Sequence, residues 1–401
     1  DGWNRMLKAG ACEVVAAGLL AFPANPAVQH SGCRAAAELA MPAVQVEAVA
    51  EAEVRQKLVD AGAGGAVLEA IRAHPADHDL LPHGLRALCG MALRGQLAAQ
   101  QLADAGAIEV VVAAMREASD ELVLQRCGCI ALARLCPLVS SMEHLLDLEA
   151  LDVLCAAMRT LLGDDAAQAS ALEALQVFVR RCGAKAHGVA VAVGVPSVIP
   201  TAMCSSPLSC EVQRAACRMV ALLAAPPENA GGVNALVDAG ATEAIFAAVR
   251  AHDGDRRLQG DACNALLALA INDVRVPHAL VNAGAAQILV PILGTVAQIE
   301  GTPRPGDDAL RRNCCGVLCA VCRAGEAGAS QAAAAGACEV VCFALHAFRY
   351  DAELQCHGCS IIERFAHDEP PGAGDSVVQA GGREAVLMAM RAFPGHKGLQ
   401  P

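Results

Sequence analysis

The stretch Val237–Asp273, VDAGATEAIFAAVRAHDGDRRLQGDACNALLALAIND, contains the pattern that decides the architecture of the chain. From Ala241 to Arg250 the residues are mostly alanine or apolar, and no proline or glycine interrupts them. Glu243 lies in the first turn of this segment and Arg250 in the last, where their charges complement the dipole of a helix. The segment is therefore predicted to be an α-helix.

A longer helix is predicted after the polar link Asp253–Asp255. Its apolar residues are spaced i, i+1, i+4 and i+7, the pattern of one buried helix face, and they are Ala262, Cys263, Leu266 and Leu269. The short apolar piece His278–Asn282 precedes the next Ala-Gly pair and predicts a brief third helix. In most copies of the pattern a small residue leads the apolar face, which should let helices approach closely: Gly32, Gly84, Gly128, Ala171, Ala216 and Gly358.

The same pattern recurs from one end of the 401-residue chain to the other. Each copy has a corner residue, usually the glycine of an Ala-Gly pair, and the corners follow at steps of 52, 44, 43, 45, 46, 44, 52 and 45 residues. The corners are Gly10, Gly62, Gly106, Glu149, Gly194, Gly240, Gly284, Gly336 and Gly381. The long steps equal one period plus about eight inserted residues, near 44–53 and at 299–306. Such a period predicts a solenoid of stacked modules.

The composition is typical of closely packed helices, and the net charge is unlike that of a nucleic-acid-binding protein. Hydrophobic residues make up 55% of the chain and aromatic residues 2%, with alanine dominating, so we predict an all-α fold. The net charge of -12 argues against a surface that serves nucleic acid throughout. A local basic stripe remains compatible with that charge.

A short helix and two longer ones, with Ala-Gly at the corner and a small residue leading the last helix, resemble the armadillo repeat. The resemblance covers nearly the whole chain and implies a right-handed α-α superhelix of about eight full repeats plus a partial ninth. The runs 125–132 and 355–362 are most similar to the armadillo region of the large leucine-rich-repeat kinases and of many protist armadillo proteins. We expect 1–401 to be a single solenoid, truncated at both ends relative to complete repeats.

The twenty cysteines bear on the compartment and on metal binding. They are spread along a long array without an N-x-S/T sequon, which favours the cytosol, with the nucleus as the alternative. Six of them share one repeat position, 23 residues after the corner once the second insertion is removed: Cys33, Cys129, Cys217, Cys263, Cys315 and Cys359. A recurring position faces the neighbouring repeat, where cysteine packs as a small apolar side chain. We expect packing rather than zinc binding or a redox role.

Motifs for catalysis and for membrane insertion are weak or absent. The sequence lacks a phosphate-binding P-loop, H-E-x-x-H, G-x-S-x-G and the EF-hand loop, so we predict no enzyme, metal, cofactor or small-molecule substrate. His74, His78 and His83 are predicted to lie in solvated links between helices. The stretch 187–210 carries no formal charge, but its prolines and its alignment with a repeat argue against a membrane span.

The remaining candidates are polar side chains on the last helix of each repeat. In the armadillo family this helix lines a concave groove, so the following residues are expected to face a ligand: Arg34, Arg86, Arg126, Arg134, Arg214, Arg218, Asn264, Arg312 and Arg364. The asparagine and tryptophan that peptide-binding armadillo proteins carry on this helix are not kept here. Arginine's planar guanidinium suits carboxylates or phosphates. The alternative is a solvated face with local ion pairs, such as Arg34 to Glu38.

These observations predict a non-catalytic protein-interaction scaffold that binds an acidic or phosphorylated segment along the groove. The expected partner is a protein, in the form of an extended peptide or another domain. One alternative is a regulatory armadillo region of a larger signalling enzyme, such as a kinase or a ubiquitin ligase. Another is nucleic-acid binding along the basic stripe, which the net charge disfavours.

Overall fold

The computed structural model describes residues 9–41, 48–93, 96–138, 149–225, 230–298, 306–367, 371–396 and 399. Within these ranges the chain is helical and has no β-strand, which confirms the predicted all-α fold. Most of both predicted insertions, at 42–47 and 299–305, lies outside the described residues.

The chain divides into two compact halves, Asp1–Val198 and Ile199–Pro401. The helices up to the end of the first half are α1 (Ala11–Ala21), α2 (Pro26–Ala40), α3 (Ala48–Asp60), α4 (Ala63–Ala73), α5 (Leu80–Ala92), α6 (Gln96–Asp104), α7 (Ala107–Glu117), α8 (Leu122–Leu135), α9 (Ala150–Thr160), α10 (Asp165–Ala192) and α11 (Val195–Ser205). The remaining helices are α12 (Cys210–Ala224), α13 (Ala230–Asp238), α14 (Ala241–Ala251), α15 (Arg256–Asn272), α16 (Arg275–Asn282), α17 (Ala286–Ala297), α18 (Asp307–Arg323), α19 (Glu326–Ala334), α20 (Ala337–Ala347), α21 (Ala352–Ala366), α22 (Ala373–Gln379) and α23 (Gly382–Ala392). A single solenoid over the whole chain stays a prediction.

The corner of every repeat adopts the left-handed backbone conformation. All nine corner residues have positive φ, for example 82° at Gly240 and 77° at Gly106. Glycine adopts this conformation without the steric cost that a Cβ brings, and it lets the short first helix of a repeat turn into the second. Glu149, with φ of 56°, is the one non-glycine residue at positive φ in the described part of the chain.

The small residue of the third helix packs against the second helix of the same repeat. A Cβ on Gly32 would lie 2.5 Å from Leu19 Cδ2, and one on Gly84 would lie 2.8 Å from Ile71 Cδ1. There is therefore no room for a side chain at these positions. The predicted close approach of the helices is confirmed.

A recurring glutamine, whose role the sequence pattern did not reveal, joins the same two helices. Its side-chain amide donates to two main-chain oxygens at the end of the second helix, over distances of 2.6 to 3.2 Å. The glutamines are Gln29, Gln125, Gln168, Gln213 and Gln355, each 19 residues after its corner. Oxygens at a helix end have no partner within the helix, so the amide satisfies them in the interior. The constant spacing was the signal that could have revealed this role.

The arginine that ends the second helix binds the next repeat as well as complementing the helix dipole. Arg72 Nη2 donates to Ala105 O at 2.9 Å, and Arg159 Nη2 donates to Val193 O at 3.1 Å. Both oxygens belong to the residue before the next corner. Arg250 makes the equivalent bond to the oxygen of Ala283. The arginine therefore holds adjacent repeats in register.

Candidate binding face

The third helices of consecutive repeats stack side by side within each half. In the first half α2 packs on α5, α5 on α8, and α8 on α10, which contains a non-helical break at Gly183. In the second half α12, α15, α18 and α21 form the same kind of row. We call the polar side of these rows the third-helix face. The nine residues that the sequence predicted to face a ligand lie on these third helices.

Arg86 of this face is held between two repeats. Its Nη1 lies 2.7 Å from Glu38 Oε1, and its Nη2 donates to the oxygen of Met41 at 2.8 Å. Glu38 therefore pairs with an arginine of the neighbouring helix, whereas the sequence pattern had suggested a pair with Arg34 on its own helix. The reason is the close packing of α2 on α5 around Gly90, where an added Cβ would lie 2.7 Å from that of Ala40.

Four further arginines of the nine bridge neighbouring repeats through carboxylates. Arg126 Nε lies 3.3 Å from Asp164 Oδ2, and Arg312 Nη1 lies 3.4 Å from Asp351 Oδ2. Both aspartates also accept backbone N–H groups as helix N-caps. These pairs occur where one third helix meets the next. They show that part of the predicted face serves contacts between repeats.

The other two of these arginines share one acid. Arg214 Nε and Arg218 Nη1 lie 3.1 and 3.4 Å from Asp261 Oδ2. Burial raises the pKa of Asp261, and the two guanidinium groups oppose that shift. The acid lies beside a polar cavity of about 900 Å³, which Asn264 and Asn313 also line.

The remaining predicted residues are not alike. Arg34 and Arg134 are exposed and have no ion pair with any described residue. Asn264 is exposed at the rim of the polar cavity, and Arg364 is half-buried. Arg34 and Arg134 are thus the predicted arginines best placed to meet a partner.

Two histidines lie beside Arg34, and one of them corrects a prediction. His83 was predicted to lie in a link between helices, but it lies in the first turns of α5. Its ring is 5.3 Å from the ring of His30 on α2, at an interplanar angle of 73°. The prediction was wrong because α5 begins at Leu80, directly after its N-cap Asp79, so His83 already belongs to the helix and not to the preceding link. The spacing of His83 and Arg86, three residues apart, is the helical signal that could have found it.

The cysteines of the recurring position are packed in the interior. Cys33, Cys129, Cys217, Cys263 and Cys315 are buried, as predicted, whereas Cys359 is only half-buried. Burial raises the pKa of the Cys33 and Cys129 thiols to about 12. Cys359 differs because it borders an open cavity of about 700 Å³ together with Ile362 and Leu387. Among the described residues no group of three or more His, Cys, Asp or Glu side chains could hold a metal ion.

The helices of the described ranges differ from membrane spans in length and polarity. None of them is by itself both long and apolar enough to cross a bilayer. Five sharply bent helix pairs meet the criteria of length and composition only when their two members are combined.

Known structures with similar folds are helical repeat proteins. An engineered protein solved by crystallography has a TM-score of 0.69 and 23% identity, with 100% of this chain and 91% of that chain covered. A chain from a structure of the interaction between cadherin and beta-catenin has a TM-score of 0.66 and 14% identity, with 89% and 66% covered. At these identities the similarity concerns the fold alone. No curated protein matches the chain.

The family comparison goes further than the fold. Residues 47–285 match the family described as LRRK2 ARM repeat, and this range is more than half of the chain. It includes the left-handed corners from Gly62 to Gly284 and the third helices α5, α8, α12 and α15. The armadillo resemblance is thereby confirmed, and the chain belongs to the LRRK2 ARM repeat family.

Proposed function

We propose that this chain is a non-catalytic scaffold whose third-helix face binds an acidic or phosphorylated segment of a protein partner. The observation that carries the proposal is the pair of exposed arginines, Arg34 and Arg134, which make no ion pair with any described residue. Exposed guanidinium groups bind carboxylates and phosphates through paired hydrogen bonds. These arginines give the face local positive charge although the net charge of the chain is -12, and that local charge favours an anionic partner.

The fold supports a binding role without defining the partner. Armadillo arrays present long surfaces, and a similar fold occurs in the structure of the interaction between cadherin and beta-catenin, which a phosphorylation switch controls. An extended segment is the form of partner that a row of parallel helices can contact over several repeats. We further propose that the protein acts in the cytosol or the nucleus.

The test is capture of partners by the intact protein, followed by mass spectrometry and by competition. We expect the Arg34→Glu/Arg134→Glu double variant to lose the captured partner, and we expect polyglutamate to displace it from the wild type. The matched control is Arg383→Glu, an exposed arginine on the second helix α23, which should leave capture unchanged. Undiminished capture by the double variant, with no effect of polyglutamate, would contradict the proposal.

The family match favours a second candidate function. The matched repeats are named for a leucine-rich-repeat kinase, so the chain could serve as the regulatory array of a larger signalling enzyme. The full-length reading frame tests this candidate directly. A kinase or ubiquitin-ligase domain in the same frame is the expected result. A complete frame without such a domain would contradict this second candidate and leave the scaffold as the one remaining proposal.

A further inference from the structure

A cluster of four cationic or titratable side chains lies where α2 meets α5. We call it the α2–α5 patch and define it as His30, Arg34, His83 and Arg86. The two rings lie 5.3 Å apart, and all four side chains are exposed or half-buried. His30 and Arg34 are one turn apart on α2, and His83 and Arg86 are three residues apart on α5, so each helix contributes one ring and one guanidinium.

The positive charge of the patch is only partly compensated. Glu38 is the acid next to it, and that carboxylate lies 2.7 Å from Arg86. Arg34 makes no ion pair with any residue that the structure describes. Arg126 and Arg214, elsewhere on the third-helix face, differ from Arg34, since each lies within 3.3 Å of an aspartate.

The groups around His83 oppose further positive charge in the patch, as the direction of its pKa indicates. Burial lowers the pKa of His83, and His30, Arg34 and Arg86 lower it further, while Glu38 acts in the opposite direction. The neighbouring groups therefore disfavour protonation of the His83 ring. A bound anion would act in the opposite direction, because its charge attracts the protonated ring and the two guanidinium groups together.

We propose that the α2–α5 patch binds a phosphorylated side chain of the partner segment. This inference rests on the proposed function and names the chemistry of one site within it. A phosphate ester carries nearly two negative charges and three acceptor oxygens. The Arg34 fork and the two imidazoles can supply donors to several of those oxygens. A carboxylate offers a single charge and two oxygens. It can therefore accept fewer hydrogen bonds from these donors than a phosphate can.

The test measures binding of short peptides to the intact 401-residue chain by fluorescence anisotropy. The probe is a fluorescein-labelled glycine-serine peptide with one central phosphoserine, and the comparison peptides carry serine or glutamate there. We expect the phosphoserine peptide to bind at least tenfold more tightly than either. The variants Arg34→Ala and His83→Gln should each weaken it by about tenfold or more, as expected for loss of a charge-assisted hydrogen bond.

A control variant separates the site from arginines elsewhere on the chain. Arg383→Ala removes an exposed arginine of the second helix α23, outside the third-helix face, and it should not alter binding of the phosphoserine peptide. Thermal unfolding followed by circular dichroism checks that each variant is folded. Because Arg34 is exposed, its replacement should leave the unfolding temperature unchanged.

The outcomes distinguish this inference from the function on which it rests. Equal or absent binding of the three peptides, or phosphopeptide binding that survives Arg34→Ala, overturns the phosphate site. If the captured partner is still lost in the Arg34→Glu/Arg134→Glu variant, the scaffold proposal stands without the site. If that variant also retains the partner, both proposals fail.

Discussion

The side-chain amide of Gln125 donates to the main-chain oxygen of Met115 at 2.6 Å, and the same nitrogen lies 3.0 Å from the oxygen of Ala118. One buried side chain therefore satisfies two carbonyl groups at the end of α7 and fixes the angle at which α8 follows. The same contact recurs in at least four other repeats.

Replacement of this amide should destabilise the fold. Gln125→Leu keeps roughly the volume of the side chain, but it removes the side-chain donor from the buried oxygen of Met115 and leaves Ala118 O with the Glu121 N–H alone. We therefore expect the free energy of unfolding to fall by about 1–3 kcal/mol. Urea unfolding followed by circular dichroism measures the change. The matched control is Gln379→Leu at an exposed position, which should change the value by less than about 0.5 kcal/mol. An unchanged midpoint for Gln125→Leu would show that the amide contributes nothing.

The corner at Glu149 should be improved by glycine. Glu149 has φ of 56°, and relief of the left-handed strain should raise the free energy of unfolding by about 1 kcal/mol in Glu149→Gly. The exposed pair with Arg116, at 3.5 Å, is worth little. Gly240→Ala places a Cβ at another left-handed corner, so it should lower the free energy of unfolding by a similar amount. Glu149→Ala removes the pair but keeps the strain, so an equal gain there would refute the backbone explanation.

Close packing at Gly84 should make alanine unfavourable despite its better helix propensity. A new Cβ would lie 2.8 Å from Ile71 Cδ1, and overpacking of this kind costs about 1–3 kcal/mol. Gly18 is also helical but has no atom within 4 Å of the corresponding position. Gly18→Ala should therefore stabilise the protein by about 0.5–1 kcal/mol.

A second substitution tests the cause at Gly84. Ile71→Val removes the atom nearest to the new Cβ, so it should recover part of the stability lost in Gly84→Ala. Thermal unfolding of the two single variants and the double variant measures this coupling. Strict additivity of the two losses would mean that the contact is not responsible.

The buried thiols should make the protein less stable in alkali. The pKa of Cys129 is raised from 9.0 to about 12 by burial, so between these values the unfolded chain loses a proton that the folded chain keeps. The contribution of Cys129 to the free energy of unfolding should therefore not change with pH below pH 9. Between pH 9 and pH 12 this contribution should fall by about 1.4 kcal/mol per pH unit. Urea titrations at pH 8 and pH 10 measure the difference.

A cysteine variant isolates this contribution. Cys129→Ala should show a shallower decline between pH 8 and pH 10 than the wild type, although it is less stable at both. Cys204→Ser, at an exposed position, serves as the control and should keep the wild-type decline. Identical slopes in Cys129→Ala and the wild type would place the alkaline loss elsewhere.

The repeat itself was predictable because its signals are local. Ala-Gly corners, charges at helix ends and the i, i+4 spacing of apolar residues each act within a few residues of chain, and all of them recur with one period. Helix positions, the packing of Gly32 and Gly84, and the burial of the cysteine position followed from that period. The role of Gln125 was missed, although the glutamine recurs at a constant distance from the corner. A polar residue in the sequence does not by itself reveal which main-chain oxygens its side chain will contact.

The sequence by itself determined that this chain is an all-α array of armadillo type, since period and residue size are properties of each repeat. Only the tertiary structure decided which arginines form ion pairs with neighbouring repeats. Glu38 pairs with Arg86 and leaves Arg34 exposed, because the approach of α2 to α5 brings together residues 48 positions apart. The same approach brings His83 to His30. Such pairs depend on the distance between helices, which no local pattern specifies.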